Sequence, residues 1–161
     1  LDARAGHSKR LPLYQTQQIS AREAEDETMM EFNATILTEP MGKERPRAAI
    51  RDGRPVIYTP NRTVEAQMRI RTAVHKTRIF YPAGTPLHME LDFYLRRPKS
   101  VKRKWPTVKP DVSNCVKLAE DALEGFLFDN DSQVVSLRAA KHYAAQGELP
   151  RIEIRVREID V

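Results

Sequence analysis

From Met30 onward, apolar and polar residues take turns along the chain. Phe32, Ala34 and Ile36 alternate with Glu31, Asn33 and Thr35, the period of two expected of a strand with one buried face. The pattern is clearest where Leu87, Met89, Leu91, Phe93 and Leu95 alternate with His88, Glu90, Asp92 and Tyr94. It returns at Ile152, Ile154 and Val156, set against Arg151, Glu153, Arg155 and Arg157, and residues 134–143 read as a further strand. Residues 48–51 and 54–58 flank Asp52-Gly53, a two-residue hairpin signal, with Pro55 restricting the second arm to an edge. Thr63 is expected to cap a helix over residues 64–76, with Met68, Ala73 and Val74 among its apolar positions. Residues 82–86 and 145–150 break the pattern as turns. The predicted order is strand, hairpin, helix, strand, helix, strand, strand. The expected fold is α+β: one domain with a small mixed β-sheet and helices packed on it.

The second helix carries the densest chemistry. Counted from Asp111 at 100° per residue, Asp111, Asn114, Lys117 and Asp121 share an arc of roughly 120°, while Val112, Cys115, Val116, Ala119, Ala122 and Leu123 cover the other side. Asp111 follows Pro110 and suits a cap whose carboxylate accepts backbone N–H bonds, and Gly125 is placed to end the helix in the left-handed conformation. Phe126-Leu127-Phe128 must then turn back to the core. The turn Asp129-Asn130-Asp131 is expected to aim its side chains at the start of the same helix. Facing carboxylates suit Mg2+, which takes one or two of them and completes its shell with water and phosphate oxygens. Taken singly, Asp111 reads as a cap, Lys117 as a solvated residue and Asp129 to Asp131 as a turn; the combination points to chemistry.

Composition narrows the classes. A length of 161 residues with 40% hydrophobic content fits one domain, and no apolar run has transmembrane length. The single cysteine, Cys115, excludes an internal disulfide and falls on the apolar helix face, where it reads as a small buried hydrophobe in a reducing compartment. The four histidines show no metal-ligand spacing. The net charge of +5 is local: residues 96–109 hold seven basic residues and no acid. These are Arg96, Arg97, Lys99, Lys102, Arg103, Lys104 and Lys109, a segment that suits a phosphate backbone. Trp105 within it can stack on an exposed base. Residues 1–28 differ, polar and aperiodic up to Ser20, where a capping-box spacing to Glu23 opens a short acidic helix. They are expected to form a tail or accessory helix, leaving 29–161 as the domain. The chain opens on Leu1, as a processed form or a fragment would, and its first residues lack a secretory h-region.

Three runs carry a family resemblance. They are Lys109-Pro110-Asp111 with Asn114 and Lys117, then Asp121-Ala122-Leu123-Glu124-Gly125, then Asn130-Asp131-Ser132-Gln133. They resemble the central motif of the RusA-type Holliday-junction resolvases, metal-dependent endonucleases of bacteria and their phages. The segment Gly42-Lys43-Glu44-Arg45-Pro46-Arg47 and the phrase Tyr58-Thr59-Pro60 resemble that family too. The resemblance runs from about Phe32 to Ile154. It implies that Asp111 and Asp131 are catalytic metal ligands, that Lys117 is the catalytic lysine, and that the cofactor is Mg2+, with Mn2+ as a substitute. It also implies Holliday-junction or other branched DNA as substrate, a homodimer, no membrane, and a bacterial or phage cytoplasm or nucleoid, an organelle if the host is eukaryotic. Lys43, Arg45 and Arg47, the basic segment from Arg96 to Lys109, Asn114 and Lys141 are the expected DNA contacts. One departure matters: Ser113 stands where the family has its second aspartate, and Asn130 replaces the first of a paired aspartate. A neutral hydroxyl is a poor Mg2+ ligand. Two alternatives therefore stand beside the nuclease: a branched-DNA-binding protein with weakened or absent cleavage, and an assembly module whose basic loop contacts an acidic protein. Glu90 and Asp92 read chiefly as a solvated strand face.

Overall fold

The computed structural model of the chain describes residues 30–159; the expected tail or accessory helix at 1–28 lies outside them. The element order is β1 (Glu31–Ile36), β2 (Arg47–Arg51), β3 (Arg54–Tyr58), α1 (Asn61–His75), β4 (Leu87–Leu95), α2 (Val112–Leu123), β5 (Val134–Tyr143) and β6 (Arg151–Glu158), with a 3-10 turn at Asp131–Gln133 before β5. This is the predicted order, and the class is α+β.

Four strands form one mixed sheet in the order β1-β6-β4-β5, and β2 and β3 pair only with each other. β6 runs antiparallel to both β1 and β4. β4 and β5 are parallel, which requires a crossover, and α2 lies within it. The alternation read from the sequence sets the register: Phe32 faces Val156, Met89 faces Val156 from the other side, and Leu91 faces Ile154. Each strand therefore turns the same parity inward. Phe32, Met89, Leu91, Phe93 and Ile154 are all but fully buried, together with Ile70 from α1 and Leu118, Ala119 and Leu123 from α2. The helices cover one sheet face only.

The other face is polar and internally paired. Asp92 meets His142 at 2.6 Å and Arg138 at 3.5 Å. Glu90 meets His88 at 3.1 Å and Arg138 at 3.4 Å. The two acids of β4 are thus occupied by His88 of β4 itself and by Arg138 and His142 of β5, with Arg155 of β6 3.9 Å from Glu90, on the face turned away from α2.

The start of α1 corrects the sequence reading. The helix begins at Asn61, with Pro60 in the N-cap position and no side-chain cap bond. The proline carbonyl accepts from the amides of Thr63 and Val64, and its ring holds φ at −56°, a value already suited to helix entry. Thr63 lies inside the first turn and is fully buried. Its hydroxyl accepts the Glu44 amide at 3.3 Å, which ties the segment before β2 to α1. Met68, expected to pack, faces solvent; Ala66 and Ile70 take the inward positions with Ala73 and Val74.

Candidate active site

The start of α2 leaves one carboxylate free. Asp111 is the N-cap residue in extended backbone conformation, and its side chain makes no cap bond. The amides of Asn114 and Cys115 are satisfied by the Asp111 backbone carbonyl instead, at 3.1 Å each. The expected side-chain cap is therefore absent. An exposed carboxylate at this end is still favoured by the positive pole of the helix.

Asp111 opens onto a cleft of about 490 Å3 that Gly42, Lys43, Glu44, Arg62, Lys109 and Asn114 also line. Gly42 allows its near wall to approach, since a Cβ there would lie 2.9 Å from that of Asn114. The next residue fastens the contact: the Lys43 amide donates to the Asn114 carbonyl at 3.0 Å. Glu44 adds an unexpected element. Its Oε2 is buried and finds no hydrogen-bond partner among the described residues; Arg47 stands 3.8 Å from its other oxygen, so only the inner oxygen is left short of a donor or cation. In the sequence Glu44 stands between Lys43 and Arg45, where charge patterning singles out only the cations. Arg62, from α1, was likewise invisible in the motif.

Further along α2, Lys43 reaches Asp121 in a 2.5 Å ion pair, so this expected phosphate contact neutralises a helix carboxylate. Arg71 caps the helix end, donating to the carbonyls of Asp121 and Ala122, where a cation meets the negative pole. Gly125, at φ +74°, takes the left-handed position as read. Lys117 is exposed. Glu120, one turn beyond Lys117, is half-buried, and burial holds its carboxyl above the ordinary carboxylate range; the charges of Asp131 and Asp121 push the same way, while Lys117 opposes. Asp131 is therefore among the charges felt at Glu120, on the body of α2. Cys115 is buried, as read, and burial pushes its thiol up to about 11.

The turn bearing Asp131 is built by its neighbours. Asn130 and Gln133 form a reciprocal capping box around the 3-10 turn. Gln133 is buried, yet every polar group of its amide is satisfied. Its Oε1 accepts from the amides of Asp129 and Asn130 at 2.9 Å each, and its Nε2 donates to Pro82 and Thr85. Leu127 and Phe128 return to the core as expected, while Phe126 stays half-exposed beneath the Arg71 guanidinium.

The basic segment folds back on the end of β5. Arg97 donates to the carbonyls of Val101 and Arg103 and stacks over Tyr143, and Arg103 reaches the Tyr143 hydroxyl at 3.3 Å. Arg96 pairs with Glu39. Trp105, expected to stack on a base, leans on His142 with ring centroids 5.6 Å apart, and Lys104 lies over its ring. Lys99 and Lys102 face solvent, as do Arg45 and Arg47 beside the hairpin. Lys141 points inward: its ammonium donates to Val108 at 2.7 Å and Pro110 at 2.8 Å.

Among the described residues no three His, Cys, Asp or Glu side chains gather closely enough to hold a metal. Mg2+ commonly takes only one or two protein carboxylates and draws its remaining ligands from water and phosphate. The free carboxylate of Asp111 and the orphaned oxygen of Glu44 on one cleft fit such a hard cation.

Residues 38–157 match the family model of endodeoxyribonuclease RusA, which sets the class as that of DNA-cutting hydrolases. The chain belongs to the RusA endodeoxyribonuclease family. Among its relatives, the uncharacterized protein YqaN of Bacillus subtilis (strain 168) is 34% identical over 137 residues, covering 78% of this chain and 94% of that protein.

Proposed function

We propose that the protein is a structure-specific endodeoxyribonuclease that resolves Holliday junctions, acting as a homodimer with Mg2+, or Mn2+ in its place. The observation that carries this reading is the uncapped carboxylate of Asp111, presented at a helix start on an open cleft with Lys109 and Arg62 beside it. Asp111 would hold the ion on this cleft with Glu44 beside it, and Asp131, which is not among the cleft's lining residues, is the second ligand that the family resemblance implies. When bound, such an ion lowers the pKa of a water and offsets charge on the scissile phosphate. The chain's own residues do the rest. Lys109 and Arg62 attract and orient the phosphate at the cleft, Lys117 adds positive charge to the exposed helix face, and Lys99 and Lys102 bind an arm of the junction through its backbone. Two symmetry-related sites suit a substrate with approximate twofold symmetry that must be cut on opposed strands. No helix among the described residues is long and apolar enough to cross a membrane.

Ser113 supports a second reading. It is exposed in the first turn of α2, where a hydroxyl replaces the carboxylate of the family pattern, and a protein so altered binds branched DNA without cutting it. Cleavage of a labelled four-way junction, with and without Mg2+ or Mn2+, separates the two. A working resolvase gives paired, metal-dependent nicks that Asp111→Asn abolishes. Binding without nicks, with cutting restored in Ser113→Asp, would replace the nuclease by the binding protein. Cleavage intact in Asp111→Asn would overturn the site assignment.

A further inference from the structure

The β2–β3 ribbon has two unlike faces. Its register pairs Ala48 with Ile57 and Ile50 with Pro55, so these four side chains share one face. Arg47, Arg51, Arg54 and Tyr58 lie on the opposite one, around the half-buried pair Ala49 and Val56. Ile50 and Ile57 are each 78% exposed, and neither strand joins the main sheet. A two-stranded ribbon is marginal by itself, and an apolar strip left in water marks a surface that something covers.

Charge and area decide what that is. Between Arg45 and Tyr58 the chain holds four arginines and one acid, Asp52, which favours a polyanion over an acceptor of mixed charge. Four small and medium side chains offer on the order of 300 Å2, well short of the roughly 800 Å2 per partner of a stable protein interface. Intact duplex satisfies only the arginine face. A branch point offers both chemistries together, phosphates on one side and the unstacked faces of bases on the other. Apolar side chains enter such steps as wedges. The reach is sufficient: a five-residue strand extends roughly 17 Å, deeper than the ~8.5 Å of a major groove. The base of the ribbon is also fixed to the site, since Lys43 and Glu44, just ahead of β2, line the cleft with Asp111.

We infer that the β2–β3 ribbon is a branch-point wedge: Ile50, Pro55 and Ile57 pack against unstacked bases at the DNA crossover while Arg47, Arg51 and Arg54 hold the flanking phosphates. This rests on the branched-DNA reading above and adds how the branch is recognised. The test uses the full chain in EDTA with two probes, a synthetic four-way junction carrying 2-aminopurine at the crossover and a linear duplex of the same arm sequence. The variants are Ile50→Asn/Ile57→Asn and the conservative Ile50→Leu/Ile57→Leu.

The unmodified chain and the leucine pair are expected to raise 2-aminopurine fluorescence on the junction. The asparagine pair is expected to lose that rise and about tenfold in junction affinity, with duplex affinity and sedimentation mass unchanged. Junction binding with no fluorescence rise in the unmodified chain, or an equal rise in the asparagine pair, overturns the wedge and leaves the branched-DNA reading standing. A fall in mass in the asparagine pair assigns the strip to contact between copies of the chain and also overturns it. Failure of the unmodified chain to prefer the junction over the duplex overturns both readings.

Discussion

The ammonium of Lys141 touches the carbonyls on either side of Lys109, those of Val108 and Pro110, and so holds the two residues that lead into Asp111. Lys141→Met leaves both carbonyls short of a charged donor. The expected loss is about 1–3 kcal/mol in urea denaturation, with single-turnover cleavage falling more than junction affinity because the change displaces Asp111 and leaves the exposed cations alone. From charge alone Lys141 reads as a DNA contact, since no pattern in a sequence tells whether a lysine near a strand end meets loop carbonyls or solvent. Tyr81 was equally silent. Its hydroxyl sits 2.8 Å from the carbonyls of Met30 and Val156, and burial above all pushes its pKa up to about 12 from an ordinary 10.0. The folded form keeps this proton where the unfolded form has released it, so stability falls as pH rises from about 10 to about 12. Denaturation midpoints measured across that window should decline in the unmodified chain and flatten in Tyr81→Phe.

At the scale of elements, the alternation of β1, β4 and β6 and the amphipathic stripe of α2 were legible because both reduce to a period matched by burial. The start of α1 was not. Thr63 has a capping residue's chemistry, and only the position of the Glu44 amide shows that its hydroxyl serves another segment. The approach of the 40–44 stretch to α2 is likewise a matter of three dimensions, and it makes Gly42 the sensitive point. Gly42→Ala sets a Cβ 2.9 Å from that of Asn114. One of the two segments must yield, at a cost of roughly 1–3 kcal/mol, and the Lys43–Asn114 backbone bond lengthens. Amide hydrogen exchange at Lys43 should speed up in this variant while exchange within β4 and β6 stays as it was.

The molecule as a whole separates its charges. The outer sheet face pairs its acids internally, Glu90 and Asp92 meeting His88, His142 and Arg138, whereas Lys99 and Lys102 on the loop and Arg45 and Arg47 at the start of the hairpin remain exposed. Junction affinity should therefore fall steeply with salt. Lys99→Gln/Lys102→Gln is expected to lower the slope of log K against log salt by about 0.9 for each phosphate the variant no longer neutralises, on every DNA sequence alike; an unchanged slope would remove these lysines from the interface. The sequence made the basic loop visible because its charge is contiguous, and hid how Arg97 and Arg103 fold onto Tyr143, because that depends on a strand whose end lies 40 residues or more along the chain. The Gln133 amide joins equally remote pieces, gripping Pro82 and Thr85 with one end and the turn ahead of Asp131 with the other. The stretch from Pro82 to Thr85 has the composition of a spacer, where an extra residue is usually harmless. Here such an insertion would unseat the grip and loosen Asp131 without altering any residue near it, so the tolerance of this fold to lengthening is set by one buried amide.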